Sequence, residues 1–394
     1  MRSAPNDAEE TMDFELTKEQ KDIKQAAQEF AEGEFDKDVA MQCDREHSYP
    51  RPIWKKACEL GFIGIHFPEE YGGQGLGVFE NALVVEEFCR RDSTIGTALA
   101  LSDFASEIIM RHGSAAQKKE FLPAIASGAM ISAGCFTEPN HGSDITAMDT
   151  TAVKGPDGWL INGTKTFITN GTIADVYIVL CQSDPAAQPS YRGQTLVLVP
   201  KGVPGLEAAE IGDKMGIRMT STAEVSFSGV KVPLENTIGT EGKGFYEVLE
   251  FFDESRVEIA STAVGIAQGA FDRALEYSKQ RQQFGQRLAD FQATQHKLAD
   301  MATWIEAARL LTYKAAWNFD QGRIDPKLTS MAKLYAGRTA VLVTDEAVQI
   351  LGGYGYILDN EVERFYRDAK ITEIYEGTKE IQKNTIAGML VRKK

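Results

Sequence analysis

The chain has 394 residues and a formal net charge of −15 at pH 7; 43% of its residues are hydrophobic and 25% are charged. This composition is typical of a globular protein, and the length predicts two or three domains. The acidic balance argues against nucleic-acid binding, which needs lysine and arginine to displace counterions from phosphates.

The five cysteines and five histidines are dispersed, without a CxxC pair or the spacing of metal ligands. We therefore expect free thiols and no metal site. No apolar run approaches the ~20 residues that span a bilayer, so we expect no membrane association. Residues 1–12 are polar and acidic and have no signal-like pattern, which predicts a disordered tail or a non-native extension. The expected location is cytoplasmic.

Residues 13–130 show helical periodicity. Thr17 and Gln20 have the spacing of a capping box, and apolar residues follow at steps of three and four. The segment YGGQGLG (71–77) is predicted to be a loop between helices. It is not a dinucleotide-binding fingerprint, because its third glycine is misplaced and no strand precedes it. An N-terminal helical domain follows from these patterns.

The pattern changes twice further along the chain. Residues 131–241 contain short β-rich runs such as DVYIVLCQ and QTLVLVP between turn residues, which predicts a compact β domain, a small barrel or a sandwich. Residues 242–394 return to long helices, and the run beginning at Gln292 has no helix breaker before Gly322. The predicted order is α, β, α.

Two stretches of the β domain concentrate hydroxyl groups and backbone amides around glycine turns: GCFTEPNHGSD (134–144) and TKTFITNG (164–171). Such a combination suits the edge of a polar heteroaromatic ring, although ordinary capped turns explain it equally well.

Three weaker motifs lie in the last domain: RQQFGQRLADFQATQ (281–295), QILGGYGY (349–356) and IYEGTKEIQ (374–382). The glycine pair of the second motif could let the backbone approach a phosphate, but such a pair more often ends a helix. Taken alone, Glu376 in the third motif would be a surface carboxylate.

These five motifs occur in one order, and with the α, β, α layout the chain resembles the acyl-CoA dehydrogenase family from roughly residue 14 to 390. The resemblance implies an α+β fold with an N-terminal helical domain, a middle β-barrel or sandwich domain and a C-terminal four-helix bundle. It also implies FAD bound without a Rossmann motif, an acyl-CoA substrate and electron-transferring flavoprotein as the electron acceptor. The implied assembly is a homotetramer, a dimer of dimers.

The resemblance also assigns roles to residues. The flavin ring and ribityl arm would be lined by Phe136, Thr137, Gly142, Ser143, Phe167 and Thr169. The ADP half would be held from a neighbouring subunit by Arg281, Phe284, Gln292, Gln349, Gly352 and Gly353. Cofactor contacts from the C-terminal side would come from Thr378 and Glu380. Residues near the substrate would be Ser143, Asp253, Arg256, Tyr375, Gly377 and Asp103.

Glu376 is the implied catalytic base. It would remove the α-proton while the flavin N5 accepts the β-hydride, leaving a 2-enoyl-CoA. A carboxylate with its usual pKa of ~4.3 is a weak base for a carbon acid, and burial would raise that pKa. Some relatives carry the base on a central helix, where Ser255 stands here and cannot serve. Glu254 is about 100° further round that helix and should point elsewhere.

Acyl specificity is poorly encoded. The segment STIGTALALSDFAS (93–106) is implied to close the acyl pocket, and it has Ile95 and Gly96 where relatives for dicarboxylic acyl groups carry arginine. Asp103 resembles an acid of relatives that oxidise alicyclic acyl-CoAs, but it could equally be a helix-surface or CoA-side residue. An oxidase-like relative that reduces oxygen also stays open. A non-catalytic, nucleic-acid-binding relative is disfavoured by the negative charge and by Glu376.

Overall fold

A computed structural model describes residues 15–391 of the chain, so the predicted tail at 1–12 lies outside the described residues. The α-helices of this range are α1 (Lys18–Glu34), α2 (Lys37–Glu46), α3 (Arg51–Glu59), α4 (Val78–Arg91), α5 (Ser93–Ala100), α6 (Ser106–His112), α7 (Ala115–Ala126), α8 (Gly244–Gln280), α9 (Gln292–Asp320), α10 (Pro326–Leu351), α11 (Val362–Ala369) and α12 (Lys379–Val391). The strands are β1 (Ser132–Cys135), β2 (Thr151–Gly155), β3 (Gly158–Thr169), β4 (Val176–Gln182), β5 (Gln194–Pro200), β6 (Leu206–Glu210), β7 (Thr222–Val232), β8 (Thr237–Ile238), β9 (Gln282–Gln283) and β10 (Gln286–Arg287). The predicted order of helices, strands and helices is confirmed.

The first helix begins as its sequence predicts. Thr17 Oγ1 accepts a hydrogen bond from the Gln20 amide at 3.2 Å, and Gln20 Oε1 accepts one from the Thr17 amide at 3.0 Å. Both bonds satisfy amides that the first turn of a helix leaves without a partner. The predicted capping box is therefore confirmed.

The middle domain is one eight-stranded sheet in the order β6-β7-β3-β2-β4-β5-β8, with β1 paired to β4. Strands β2 and β4 share a single pair, Thr151 and Gln182, so the sheet folds into two halves around a common core. Strand β4 is buried along its whole length. Its alternate residues face either this core (Tyr177, Val179 and Cys181) or the helical domain (Val176, Ile178 and Leu180).

Helix α8 is the centre of the C-terminal domain, where it packs on α10, α9 and α4. Small residues permit a close approach: a Cβ atom added at Gly269 would lie 2.2 Å from the Arg90 carbonyl oxygen of α4. Because α8 contacts both helical domains, its buried polar side chains can reach groups from each of them. None of the helices within 15–391 combines the length and apolar character needed to cross a bilayer.

Candidate active site

Glu376 lies in a tight turn between the 3₁₀ segment Lys370–Glu373 and α12. Its φ is 52° and that of Gly377 is 89°, so two consecutive residues adopt left-handed backbone. That conformation is unfavourable for glutamate and persists only where neighbouring groups hold it. Gln382 Nε2 donates to the carbonyl oxygens of Glu376 (3.0 Å) and Gly377 (2.9 Å), and Lys333 Nζ donates to the latter at 2.7 Å.

The carboxylate of Glu376 is also held in place. Ser255 Oγ on α8 donates a hydrogen bond to its Oε2 at 2.7 Å. Burial raises the pKa of Glu376, while the Ser255 hydroxyl and the cations Lys333 and Arg256 oppose that rise. Burial also lowers the pKa of Lys333 to about 8. The result is a positioned carboxylate with increased proton affinity.

The neighbouring acids of α8 point in other directions. Glu254 forms an ion pair with Arg111 of α6, which confirms that it is turned away from Glu376. Asp253 Oδ1 accepts hydrogen bonds from Arg256 Nη1 at 2.9 Å and from Thr329 Oγ1 at 3.2 Å. Arg256 is close enough to affect the pKa of Glu376. Asp253 and Arg256, both predicted near the substrate, therefore lie together beside the candidate base.

Phe167 is the most exposed aromatic ring of the middle domain, with 66% of its surface accessible. Its φ is 57°, and it lies where the register between β3 and β7 shifts, between Lys165 and Ile168. Two residues earlier on β3, Lys165 Nζ forms a fully buried ion pair with Glu138 at 2.7 Å. The Thr166 amide next to it donates to the Thr137 carbonyl oxygen at 2.9 Å.

The other residues predicted to line the flavin vary in exposure. Thr137 and Thr169 are half-buried, while Gly142 and Ser143 are exposed. Phe136 is different, because its ring packs in the core at 5.9 Å from Phe251 and 5.7 Å from Phe252. An exposed aromatic ring, with accessible threonine and serine residues in the same two motifs, is a feature that fits the binding of a flat, polar heteroaromatic ring.

The residues predicted to hold the ADP half form a separate, exposed group: Arg281, Phe284, Gln292, Gln349, Gly352 and Gly353. The Arg281 guanidinium lies 5.8 Å from the ring centre of Tyr354, while Phe284 is 95% exposed at a φ of 52°. A Cβ atom at Gly352 or Gly353 would meet no atom within 4 Å. Thr378 Oγ1 caps the Ile381 amide at 3.4 Å, and Glu380 is exposed.

A buried polar cluster between α6 and α8 contains His66, Asp103, Glu107 and Glu258; we call it the acid–histidine cluster. Of these four residues, only Asp103 was predicted from the sequence to lie near the substrate. Asp103 is buried, and its Oδ2 accepts a hydrogen bond from the Gly64 amide at 3.1 Å. Asp103 lies in the turn before α6 and Glu107 lies in the first turn of α6, so helical periodicity does not bring the two carboxyl groups together, and no sequence signal predicts the cluster.

One group of possible metal ligands is present within 15–391: Glu138, His141 and Asp149. Both Glu138 oxygens are already used, by Lys165 Nζ and by the amides of Thr150 and Asp149. These hydrogen bonds satisfy both oxygens of the buried Glu138 carboxylate, so its burial does not require a bound ion.

Profiles of a single family match all three parts of the chain. They describe the acyl-CoA dehydrogenase N-terminal domain (residues 17–129), middle domain (133–230) and C-terminal domain (242–390). A short-chain-specific acyl-CoA dehydrogenase of Clostridium acetobutylicum is 43% identical, over 97% of this chain and 100% of its own.

Two solved structures are similar along nearly their whole length. Butyryl-CoA dehydrogenase from Megasphaera elsdenii has a TM-score of 0.92 and 41% identity, and the match covers 97% of this chain and 100% of that one. A chain from a study of the electron transferring flavoprotein of Acidaminococcus fermentans, concerned with flavin-based electron bifurcation, has a TM-score of 0.93 and 43% identity, with the same coverage.

Proposed function

The chain belongs to the acyl-CoA dehydrogenase family, and on that premise we propose that it oxidises a short acyl-CoA thioester to the 2-enoyl-CoA with Glu376 as the base. One observation carries the proposal: side chains from three helices, α8, α10 and α12, meet at the Glu376 turn. Ser255 holds the carboxylate, while Lys333 and Gln382 hold the backbone. A surface glutamate would not need such support.

The chemistry of the base follows from these contacts. Ser255 occupies Oε2, which leaves Oε1 to receive the α-proton of the thioester. Burial raises the proton affinity of the carboxylate, and this favours proton transfer from carbon. Ser255, Lys333 and Arg256 limit that rise, because each of them stabilises the ionised carboxylate.

Members of this family are FAD flavoproteins, and the exposed ring of Phe167 with Thr169 and Ser143 fits the isoalloxazine and ribityl groups. Bound FAD would supply the acceptor for the β-hydride. The exposed Arg281, Phe284 and Gly352 group would hold the ADP half in a second copy of the chain, which supports a homotetramer. An almost fully exposed phenylalanine in a left-handed conformation is consistent with a surface that a second chain covers.

Two comparisons support the substrate size and the electron carrier. The relative from Clostridium acetobutylicum is specific for short chains, and the similar enzyme from Megasphaera elsdenii acts on butyryl-CoA. The chain from the Acidaminococcus fermentans study links a close structural relative to an electron transferring flavoprotein. We propose a short acyl-CoA as the substrate and electron-transferring flavoprotein as the acceptor.

Anaerobic titration with butyryl-CoA tests the function. The purified protein should be yellow with about one FAD per chain, and butyryl-CoA should bleach the flavin absorbance. Turnover should require electron-transferring flavoprotein and should not proceed with NAD alone. A protein that cannot be reconstituted with FAD, or whose flavin no acyl-CoA reduces, would contradict the proposal.

The burial of Asp103 favours a second candidate, oxidation of an alicyclic acyl-CoA. A buried carboxylate is unfavourable unless it serves a purpose, and Asp103 accepts one amide hydrogen bond and lies in the acid–histidine cluster. Asp103→Asn should then reduce turnover of cyclohexanecarboxyl-CoA or cyclohexenecarboxyl-CoA far more than turnover of a linear thioester of similar size. Equal effects on cyclic and linear substrates would exclude this role.

A further inference from the structure

The acid–histidine cluster contains buried polar atoms that have no hydrogen-bond partner within residues 15–391. His66 is 9% exposed and Glu107 is 4% exposed. Neither ring nitrogen of His66 is hydrogen-bonded, and Oε2 of Glu107 is also without a partner. His66 Nε2 lies 3.7 Å from Glu107 Oε1, which is too long for a hydrogen bond. Leaving such groups unsatisfied is unfavourable in a folded protein.

The cluster is continuous with the candidate active site. Glu258 is one helical turn from Ser255 on α8, and Ser255 holds the Glu376 carboxylate. The pKa of Glu258 is raised well above its ordinary value by burial and by the charges of Glu107, Asp103, Glu254 and Glu376. The hydroxyl of Tyr375, next to Glu376, is buried without a partner as well and interacts with Glu258. Polar atoms without partners therefore extend from the base to His66.

The chemistry of the cluster favours one kind of ligand group. Its side chains offer three carboxyl groups and one imidazole; the adjacent Arg111 is paired with Glu254 and has one nitrogen, Nη1, without a partner. Burial and mutual repulsion raise the pKa values of Glu107 and Glu258, so an anionic group beside them would be disfavoured, and a hydrocarbon would leave the His66 nitrogens and Glu107 Oε2 unsatisfied. A group that donates hydrogen bonds would satisfy Glu107 Oε2 and the unprotonated nitrogen of His66, and a hydroxyl would also accept one from the protonated nitrogen.

We propose that the acid–histidine cluster is a binding subsite for a hydrogen-bond donor, a hydroxyl or a protonated amine, on the acyl group beyond its reacting carbons. This inference rests on the proposed dehydrogenase function. His66 and Glu107 are the residues that would contact the donor, and Asp103 and Glu258 would lie around it, where a cationic donor would favour their ionised forms. The true substrate would then be a hydroxyacyl- or aminoacyl-CoA, not a plain fatty acyl-CoA.

A panel of matched thioesters tests the subsite. Each ω-hydroxyacyl-CoA and ω-aminoacyl-CoA is compared with the methyl-terminated thioester of the same length in heavy atoms, for example 4-hydroxybutyryl-CoA and 4-aminobutyryl-CoA with pentanoyl-CoA. Butyryl-CoA, glutaryl-CoA and cyclohexanecarboxyl-CoA complete the panel. The readout is kcat/KM for flavin-dependent turnover. At the best length, we expect at least one donor-bearing thioester to exceed its methyl counterpart by about tenfold, the value of one good hydrogen bond.

Glu107→Gln keeps the shape of the side chain and removes the carboxyl group that a bound ammonium group would ionise. The ratio of kcat/KM for the aminoacyl thioester to that for its methyl counterpart should fall close to one. The corresponding ratio for the hydroxyacyl thioester should fall less, and kcat/KM for pentanoyl-CoA should stay within about twofold of wild type. Glu247→Gln is the matched control, because Glu247 is a buried α8 acid that accepts the Thr240 amide outside the cluster. Should Glu107→Gln fail to fold, as judged by FAD content and Tm, His66→Gln gives the same test.

The outcomes separate this inference from the proposed function. If wild type prefers methyl-terminated, anionic or cyclic thioesters at every length, the subsite is wrong while the dehydrogenase function stands. A second outcome is that wild type has a higher kcat/KM for the donor-bearing thioesters while Glu107→Gln and His66→Gln keep that preference in full. In that case the donor is bound elsewhere, and the assignment of the subsite to the acid–histidine cluster is wrong. If no thioester of the panel bleaches the flavin, the proposed function fails and the subsite fails with it.

Discussion

Helix α8 carries residues of two neighbouring polar regions that are organised in opposite ways. In the first, the Glu376 turn has a donor for its carboxylate and donors for both of its strained carbonyl groups. The second, the acid–histidine cluster, is buried and leaves His66 and Glu107 atoms without partners. The base and its turn are held by contacts within a single chain, whereas the unpaired atoms of the cluster are satisfied only when something else enters it.

The difference shows how a fold can separate chemistry from selection. A base must be held in one position before the substrate arrives, and its supporting contacts belong to the resting protein. A specificity site contains polar atoms that find hydrogen-bond partners only on the correct ligand. The wrong ligand leaves these atoms without a partner. We therefore expect changes at the Glu376 turn to affect all substrates alike, and changes in the cluster to affect some substrates only.

The largest effect should come from Glu376→Gln. This change keeps the shape of the side chain and removes the base, so flavin reduction by every thioester should fall by ~10²–10⁴-fold or more. Stopped-flow absorbance of the flavin measures this loss, and FAD content should stay unchanged.

Glu254→Gln is the control for that variant, because the Glu254 carboxylate is buried nearby but paired with Arg111. Its rate of flavin reduction should stay close to that of wild type. If the Glu254 change abolishes reduction and the Glu376 change does not, the base has been assigned to the wrong residue.

Lys333→Met should have the next largest effect. It removes the donor to the Gly377 carbonyl and a positive charge that lowers the pKa of Glu376. A hydrogen bond from a charged donor contributes about 1.5–3 kcal/mol, so kcat should fall by about 10- to 100-fold. The pKa of Glu376 should rise, and because the base acts when ionised, the rise of kcat/KM with pH should move to higher pH.

Lys214→Met is a matched control for that pH shift. Lys214 is also largely buried with a pKa lowered to about 8, and its Nζ donates to the Ile217 carbonyl at 2.7 Å in the middle domain. Its loss should lower Tm without moving the pH profile. Identical profiles for wild type and Lys333→Met would show that Lys333 has only a structural role.

The sequence predicted the local features of this protein better than its long-range ones. The Thr17 capping box involves residues three apart, so a spacing rule was sufficient. The identification of Glu376 depended on a resemblance to a family, and Ser255 was considered only as a replacement base. Its actual partner is Glu376 itself, 121 residues away in sequence, and helical periodicity gives the face of Ser255 but not what meets that face.

Two further features were beyond the sequence for the same reason. Phe136 lies in a predicted cofactor motif, and its ring packs against Phe251 and Phe252, because a hydrophobic residue at the end of a strand can enter a core formed by distant segments. The acid–histidine cluster joins a loop after α3, the start of α6 and the middle of α8. No periodicity within one element could have predicted that these acids meet.

Ser255→Ala should have a smaller effect than the loss of Lys333. It removes one neutral donor, which contributes about 0.5–1.5 kcal/mol, so kcat should fall by about two- to tenfold. Because this hydrogen bond lowers the pKa of Glu376, the pH profile should again move to higher pH. Ser261→Ala on the same helix, whose hydroxyl donates to the Val257 carbonyl at 3.0 Å, should change neither quantity. A profile that moves to lower pH would contradict the assigned hydrogen bond.

The smallest effect should be on stability and should have the opposite sign in the two regions. Glu107→Gln removes a buried carboxyl group whose ionisation is unfavourable in the folded protein, so it should stabilise the fold by about 1 kcal/mol at neutral pH. Gln382→Ala removes donors to two strained carbonyl groups and should destabilise it. Chemical denaturation of the holoenzyme measures both changes.

The pH dependence of the Glu107→Gln effect gives the sharper test. Burial, followed by Glu254 and Asp103, raises the pKa of Glu107 well above its ordinary value in the folded state. The folded protein therefore binds this proton more tightly than the unfolded chain. Its contribution to stability is fully present below the unfolded pKa and is lost as pH rises through the folded one. The gain from Glu107→Gln should therefore be smallest at acidic pH and grow as pH rises. A gain independent of pH would mean that ionisation of Glu107 is not unfavourable in the folded protein, and the contrast between the two regions would not hold.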